Sequence, residues 1–177
     1  MNEDDWGHML DAVEGRFWGK YRGSVVQNRD EEGRGRLQVK VPAVLGEVAV
    51  WALPCVPYAG PSVGFYALPP VESNVWVEFE GGDPSYPIWV GCFWRENDIA
   101  QNDRDPNIKF WRSGKVSLRI DDGEGLIEIT TQGGGTLRIR GSEITFEGQK
   151  IEQRASGKKT ALTPSSFDVH DGAFTVV

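Results

Sequence analysis

A chain of 177 residues fits one domain of ordinary size, or one small domain plus an extension, and 39% hydrophobic residues exclude a disordered chain. Its 22 glycines and 10 prolines favour many turns and short strands over long helices. A formal net charge of -7 offers no counterion-release energy on a phosphate backbone, so nucleic acid is not an expected partner.

The only predicted helix spans residues 8–18, where Met9, Leu10, Val13 and Phe17 share one face and acidic residues fill the other. Gly15 weakens it, and so short a helix is marginal alone in water. It is read either as an arm packed on its own domain or as a docking segment for a neighbouring subunit. The start, Met1-Asn-Glu-Asp-Asp, has neither the basic nor the apolar region of a secretion signal. No stretch approaches a membrane span, and the expected site of synthesis is the cytoplasm.

From Trp18 the period changes to two. Strands are predicted at Tyr21–Val26, Arg36–Val41, Val48–Val56, Asn74–Glu80 and Tyr86–Phe93. Leu37, Val39 and Val41 share one face of the second; Val75, Val77 and Phe79 point inward from the fourth, with Glu78 and Glu80 outward. Turn clusters separate them: Asn28-Arg-Asp-Glu-Glu-Gly33, a Pro- and Gly-rich loop from Pro57 to Gly64, and Gly81-Gly-Asp-Pro84. Five short antiparallel strands in so few residues suit a small barrel. The cysteines, Cys55 and Cys92, lie in apolar runs without metal-binding spacing and are expected to be buried, reduced thiols.

Residues 95–108 are polar and read as a linker, and beyond them the character changes. Residues 1–108 hold 9 Lys and Arg against 17 Asp and Glu, whereas residues 109–177 hold 10 against 9. Strand-like pieces recur at Val116–Ile120, Leu126–Thr130, Thr136–Arg140, Glu143–Glu147, Lys150–Arg154, Lys158–Leu162, Ser166–His170 and Ala173–Val177, with glycine-containing turns between them. Leu118, Ile120, Ile127, Ile129, Leu137, Ile139, Ile144, Phe146 and Ile151 alternate with charged residues such as Arg119, Glu128 and Arg138. One such ribbon cannot enclose its apolar face. Three identical ribbons about a common axis enclose it, with those nine residues as the trimer core. The alternative is one more β-domain folded onto the barrel of a monomer.

The run Arg22-Gly-Ser-Val-Val-Gln-Asn-Arg-Asp-Glu-Glu-Gly-Arg-Gly-Arg-Leu-Gln-Val-Lys-Val-Pro42 resembles the opening of the OB-fold domain of phage baseplate assembly protein V. That domain also occurs in spike proteins of type VI secretion and tail-like injection systems. The likeness continues through Trp51-Ala-Leu-Pro-Cys-Val-Pro57, Gly64-Phe-Tyr-Ala-Leu-Pro-Pro70 and the stretch from Val75 to Trp94. It implies an all-β protein: an arm at 1–17, an OB-fold barrel at 18–94, the linker, and at 109–177 a trimeric needle, an intertwined β-helix or β-prism. The implied role is mechanical, a non-enzymatic central spike beneath the tail tube of a contractile injection machine, driven through a target envelope. Implied partners are two further copies, hub, tube and baseplate proteins, a PAAR-type tip protein on Phe174, Val176 and Val177, and, transiently, the target membrane. The implied setting is the cytoplasm during assembly and then the assembled particle.

No catalytic residue, cofactor or metal is expected. His8 and His170 have no nearby cysteine, and Glu80 with Asp83 sits at a strand end and turn. Some spikes of this kind carry an HxH motif that holds iron on the axis; here the run Asp168-Val-His170-Asp171 lacks the second histidine. Competing readings are an OB-fold module for single-stranded nucleic acid, suggested by 7 Trp, 8 Phe and 4 Tyr, and a carbohydrate-binding tail module.

Overall fold

A computed structural model describes residues 14–177. Most of the predicted helix at 8–18, and His8, lie outside the described residues. The remainder of that helix, residues 14–18, is a turn at Glu14-Gly15 followed by an irregular segment. The chain divides into two units, meeting between Asp98 and Ile99.

The first unit is a closed barrel of β1 (Tyr21–Gln27), β2 (Leu37–Lys40), β3 (Ala49–Pro54), β6 (Asn74–Phe79) and β7 (Pro87–Cys92), in the order β1-β2-β3-β7-β6. All pairs are antiparallel except β3 with β7, which meet in parallel at Leu53–Ile88 and Pro54–Trp89. The order and the single parallel pair are those of an OB-like barrel. The all-β class and the five barrel strands agree with the sequence reading. A hairpin of β4 (Ala59–Gly60) and β5 (Val63–Gly64) adds structure to the Pro- and Gly-rich loop, and Pro42 ends β2 by opening one helical turn, α1 (Pro42–Leu45).

Strict alternation fills the barrel. Leu37, Val39, Val41, Val75 and Val77 are fully buried, joined by Val25, Ala52, Phe79 and Trp89. Trp89 is a large core residue whose indole must also find an acceptor; Nε1 donates to the Gly35 carbonyl at 3.2 Å. Two glycines are required by close approach. A Cβ on Gly23 would stand 2.8 Å from the Lys40 carbonyl oxygen, and one on Gly82 would meet Arg16 Cβ at 3.1 Å and Phe17 N at 3.2 Å. Gly82 has φ +74°, and its carbonyl accepts from the Phe17 N–H at 2.8 Å, fastening residue 17 to the reversal between β6 and β7.

The second unit holds two antiparallel meanders. One comprises β8 (Ile108–Arg112), β9 (Val116–Asp121), β10 (Leu126–Thr131), β11 (Thr136–Arg140) and β12 (Glu143–Glu147) in sequence order. The other comprises β13 (Ile151–Ala155), β14 (Lys158–Leu162), β15 (Phe167–Val169) and β16 (Phe174–Val176). Turn chemistry sets the registers. Ser156-Gly157 joins β13 to β14, both with positive φ, as a mirror-image two-residue hairpin turn requires.

Candidate functional site

Strand register decides which side chains share a face, because paired residues project to the same side. Ile127 pairs with Ile120 and with Ile139, and Ile139 pairs with Ile144. Ile129 pairs with Leu118 and with Leu137, and Leu137 pairs with Phe146. Eight of the nine predicted core residues thus form two parallel apolar ladders across β9–β12. Among the described residues the ladders are uncovered: Ile129 is 37% exposed, Phe146 57% and Ile144 60%. The ninth, Ile151, belongs to the second meander, where it starts the ladder Ile151–Leu162–Phe167–Val176.

Register also extends both faces. Trp111 pairs with Leu118 and so joins the first apolar face, which Val116 lengthens at its margin. Leu162 and Phe167 join the second. Phe174 and Val176, read from sequence as a seat for a tip protein, stand on that same face, across from Val169 and Phe167, while Val177 is 99% exposed.

The opposite face of the first meander is charged and internally paired. Glu128 accepts from Arg138 Nε at 2.9 Å and Nη2 at 2.6 Å, and it pairs in register with Arg119 on its other side. Arg119 lies 3.3 Å from Asp121, and Arg140 pairs with Glu124 at 2.5 Å. One sheet therefore has a salt-bridged side suited to water and an apolar side that the described residues leave open. In the second meander Glu152 sits between Arg154 and Lys150; hydrogen bonding, first from Arg154 and then from Lys150, holds its pKa down at about 2.

On the barrel, the first hairpin is tied by one buried carboxylate. Asp30 accepts from Arg36 Nε at 3.1 Å and Nη2 at 2.8 Å, and from the backbone N–H groups of Glu32, Arg34 and Arg36 at 3.1, 2.8 and 3.2 Å. The Arg36 guanidinium, foremost, and these amides hold the Asp30 carboxyl well below the usual carboxylate range. Arg36 also lies over the Trp51 ring at 5.2 Å. The arginines flanking Gly33 and Gly35 are thus split: Arg36 builds the hairpin, while Arg34 reaches Glu32 at 3.5 Å.

The sites weighed for chemistry stay apart. Asp83 spends its carboxylate on its own turn, accepting from the Ser85 N–H at 2.9 Å, with Arg16 at 3.3 Å. His170 Nε2 lies 3.0 Å from Lys158 Nζ. Among the described residues, no three His, Cys, Asp or Glu side chains gather as a metal site. Cys55 and Cys92 are free and exposed rather than buried, which corrects the sequence reading. Each follows the apolar residues of a short strand near its end, where the period-two pattern continues but the barrel interior has stopped. No helix among the described residues is long and apolar enough to cross a membrane.

The model of one protein family, the type VI secretion system/phage-baseplate injector OB domain, matches residues 21–94. The match starts on the first residue of β1 and takes in all five barrel strands. No curated protein matches the chain. Residues 21–94 are therefore an OB domain of the type VI secretion and phage-baseplate injector family, the family that the sequence resembles.

Proposed function

We propose that the chain is the structural, non-enzymatic central spike of a contractile injection machine, assembled as a homotrimer with the barrel as collar and the meanders as needle. The observation that carries this reading is the two-sidedness of the first meander, with its charges paired on one face and its ladders from Leu118 to Phe146 bare on the other. Burying an aliphatic side chain contributes roughly 1.5–3 kcal/mol, so a repeated set of them in every copy is a large drive to associate.

Strand length favours three copies over a larger ring. Strands of five or six residues make a wall roughly 17–20 Å wide. Three such walls in a triangle stand about 5 Å from their axis, half the roughly 10 Å spacing of packed sheets, so their side chains meet without a void. Four walls stand about 9 Å off and leave a channel. Because the strands of each meander pair within one chain, the reading becomes a prism in which each chain supplies whole walls, in preference to an interleaved helix. The strand β16 is the outer strand of its sheet, and its unpaired edge with Val177 is the proposed seat of a separate tip protein.

Hub, tube and baseplate proteins complete the proposed setting, with transient contact to a target membrane. Immunogold labelling of intact tail-like particles tests the role. Label at the distal end of the tube supports it, and label along the sheath, or particles of normal form and activity without the chain, contradicts it.

A further inference from the structure

The polar segment 95–108 carries more fastenings than a tether needs. On its barrel side, Arg95 donates from Nε to Asn74 Oδ1 at 3.0 Å and from Nη2 to the Glu72 carbonyl at 3.3 Å. The Arg95 N–H donates to Asp98 Oδ2 at 2.7 Å, and the Asp98 N–H returns to the Arg95 carbonyl at 3.3 Å. Residues 95–98 are thereby closed into a turn held on the end of β6.

On the sheet side the fastening is a carboxylate. Asp103, in a 3-10 turn at Gln101–Asp103, has a side chain only 8% exposed. It accepts from Arg112 Nη1 at 2.8 Å and lies 3.8 Å from Arg119 Nε. Register places Arg112 and Arg119 on the charged face of β8 and β9, together with Asp121. A sheltered carboxylate is costly unless its charge is matched, and two guanidinium groups match this one. The turn itself is closed by the Asp103 N–H donating to the Ala100 carbonyl at 2.9 Å, and Arg104 Nε donates to the Ile99 carbonyl at 2.9 Å. Beyond it, the Asn107 carbonyl accepts from the Asp122 N–H at 3.0 Å.

We propose that Asp103 is the lock of a strap: a positioning residue that holds residues 99–107 against the charged face of β8 and β9. The segment is then fastened on both sides of the Asp98–Ile99 boundary, each side within its own unit. A free tether of this length has an end-to-end distance of about 20 Å, and one of two residues about 8 Å. The inference stands on contacts within each unit and does not depend on the number of copies in the assembly.

Limited trypsin digestion of the full chain tests it, because Arg104 is a trypsin site inside the strap. Opening of a local segment sets its cleavage rate when reclosing is fast, so the wild-type bond after Arg104 is expected to be protected. Asp103→Ala is expected to raise cleavage there about tenfold, and Asp103→Glu to restore most of the protection. Arg95→Ala, which loosens only the barrel-side turn, is expected to leave Arg104 protected. Asp103→Asn, which keeps the size of the side chain, guards against loss of the sheet. New cleavage confined to Arg104 supports the strap. Cleavage at Arg104 arriving together with cuts at Arg119 and Arg138 overturns it, because Asp103 then holds the sheet and not the segment. Equal rates in the wild type and Asp103→Ala overturn it as well.

Discussion

Ile129 lies directly across from Leu137 in the β10–β11 pair, while the next residue along, Arg138, turns to the opposite face and clasps Glu128 through Nε and Nη2. One step along the strand separates an uncovered apolar ladder from a solvated ion pair, and that contrast gives the first test. Ile129→Asp places a carboxylate on the face proposed to be buried in the trimer, once for each chain, at a large desolvation cost. Assembled material is expected to collapse. Arg138→Ala removes an exposed pair worth about 0.2–1 kcal/mol and is expected to be mild. Equal yields of assembled protein for the two variants, measured by size-exclusion chromatography, contradict the assigned faces.

The barrel makes a separate prediction from close packing. A Cβ on Gly23 meets a backbone oxygen at 2.8 Å, which cannot move without shifting β2. Gly33 has φ +67° but nothing within 4 Å of the added atom. Gly33→Ala is expected to cost about 1 kcal/mol through backbone strain alone, and Gly23→Ala at least twice that. Urea unfolding of a fragment spanning residues 14–98 orders the two, and the reverse order contradicts the close approach.

Most strands of both units are legible in the sequence because alternation and glycine turns recur together: Thr136–Arg140, Glu143–Glu147 and Lys158–Leu162 fall where the pattern puts them. β8 leaves no such mark, since Ile108 and Phe110 face one side and Trp111 the other, so its apolar residues do not alternate. The fastening of Asp103 is invisible for another reason. Its partners lie nine and sixteen residues on, and only the β8–β9 register brings them to one place. Leu162 and Phe167 join the apolar face through a register that hydropathy over so short a strand does not set.

Acid should act on two carboxylates in a predictable direction. The pKa of Glu152, lowered to about 2 by Arg154 and Lys150, means that its contribution to stability is complete above the unfolded value near 4.5 and is lost as pH falls toward 2. Asp30, held lower still by Arg36 and three amides, starts to lose its contribution below its unfolded value near 3.8 and completes the loss in stronger acid. The Tm of the wild type is therefore expected to fall between about pH 4.5 and 2 by more than that of Glu152→Gln. Parallel curves for the two contradict the assignment.

The mass of the purified protein in solution tests the central claim most directly. Multi-angle light scattering at micromolar concentration is expected to return three times the chain mass of 19.6 kDa, unchanged on modest dilution. A mass of one chain contradicts the proposal that the ladders from Leu118 to Phe146 are covered by other copies, and a mass of two chains replaces the three-walled prism with a sandwich.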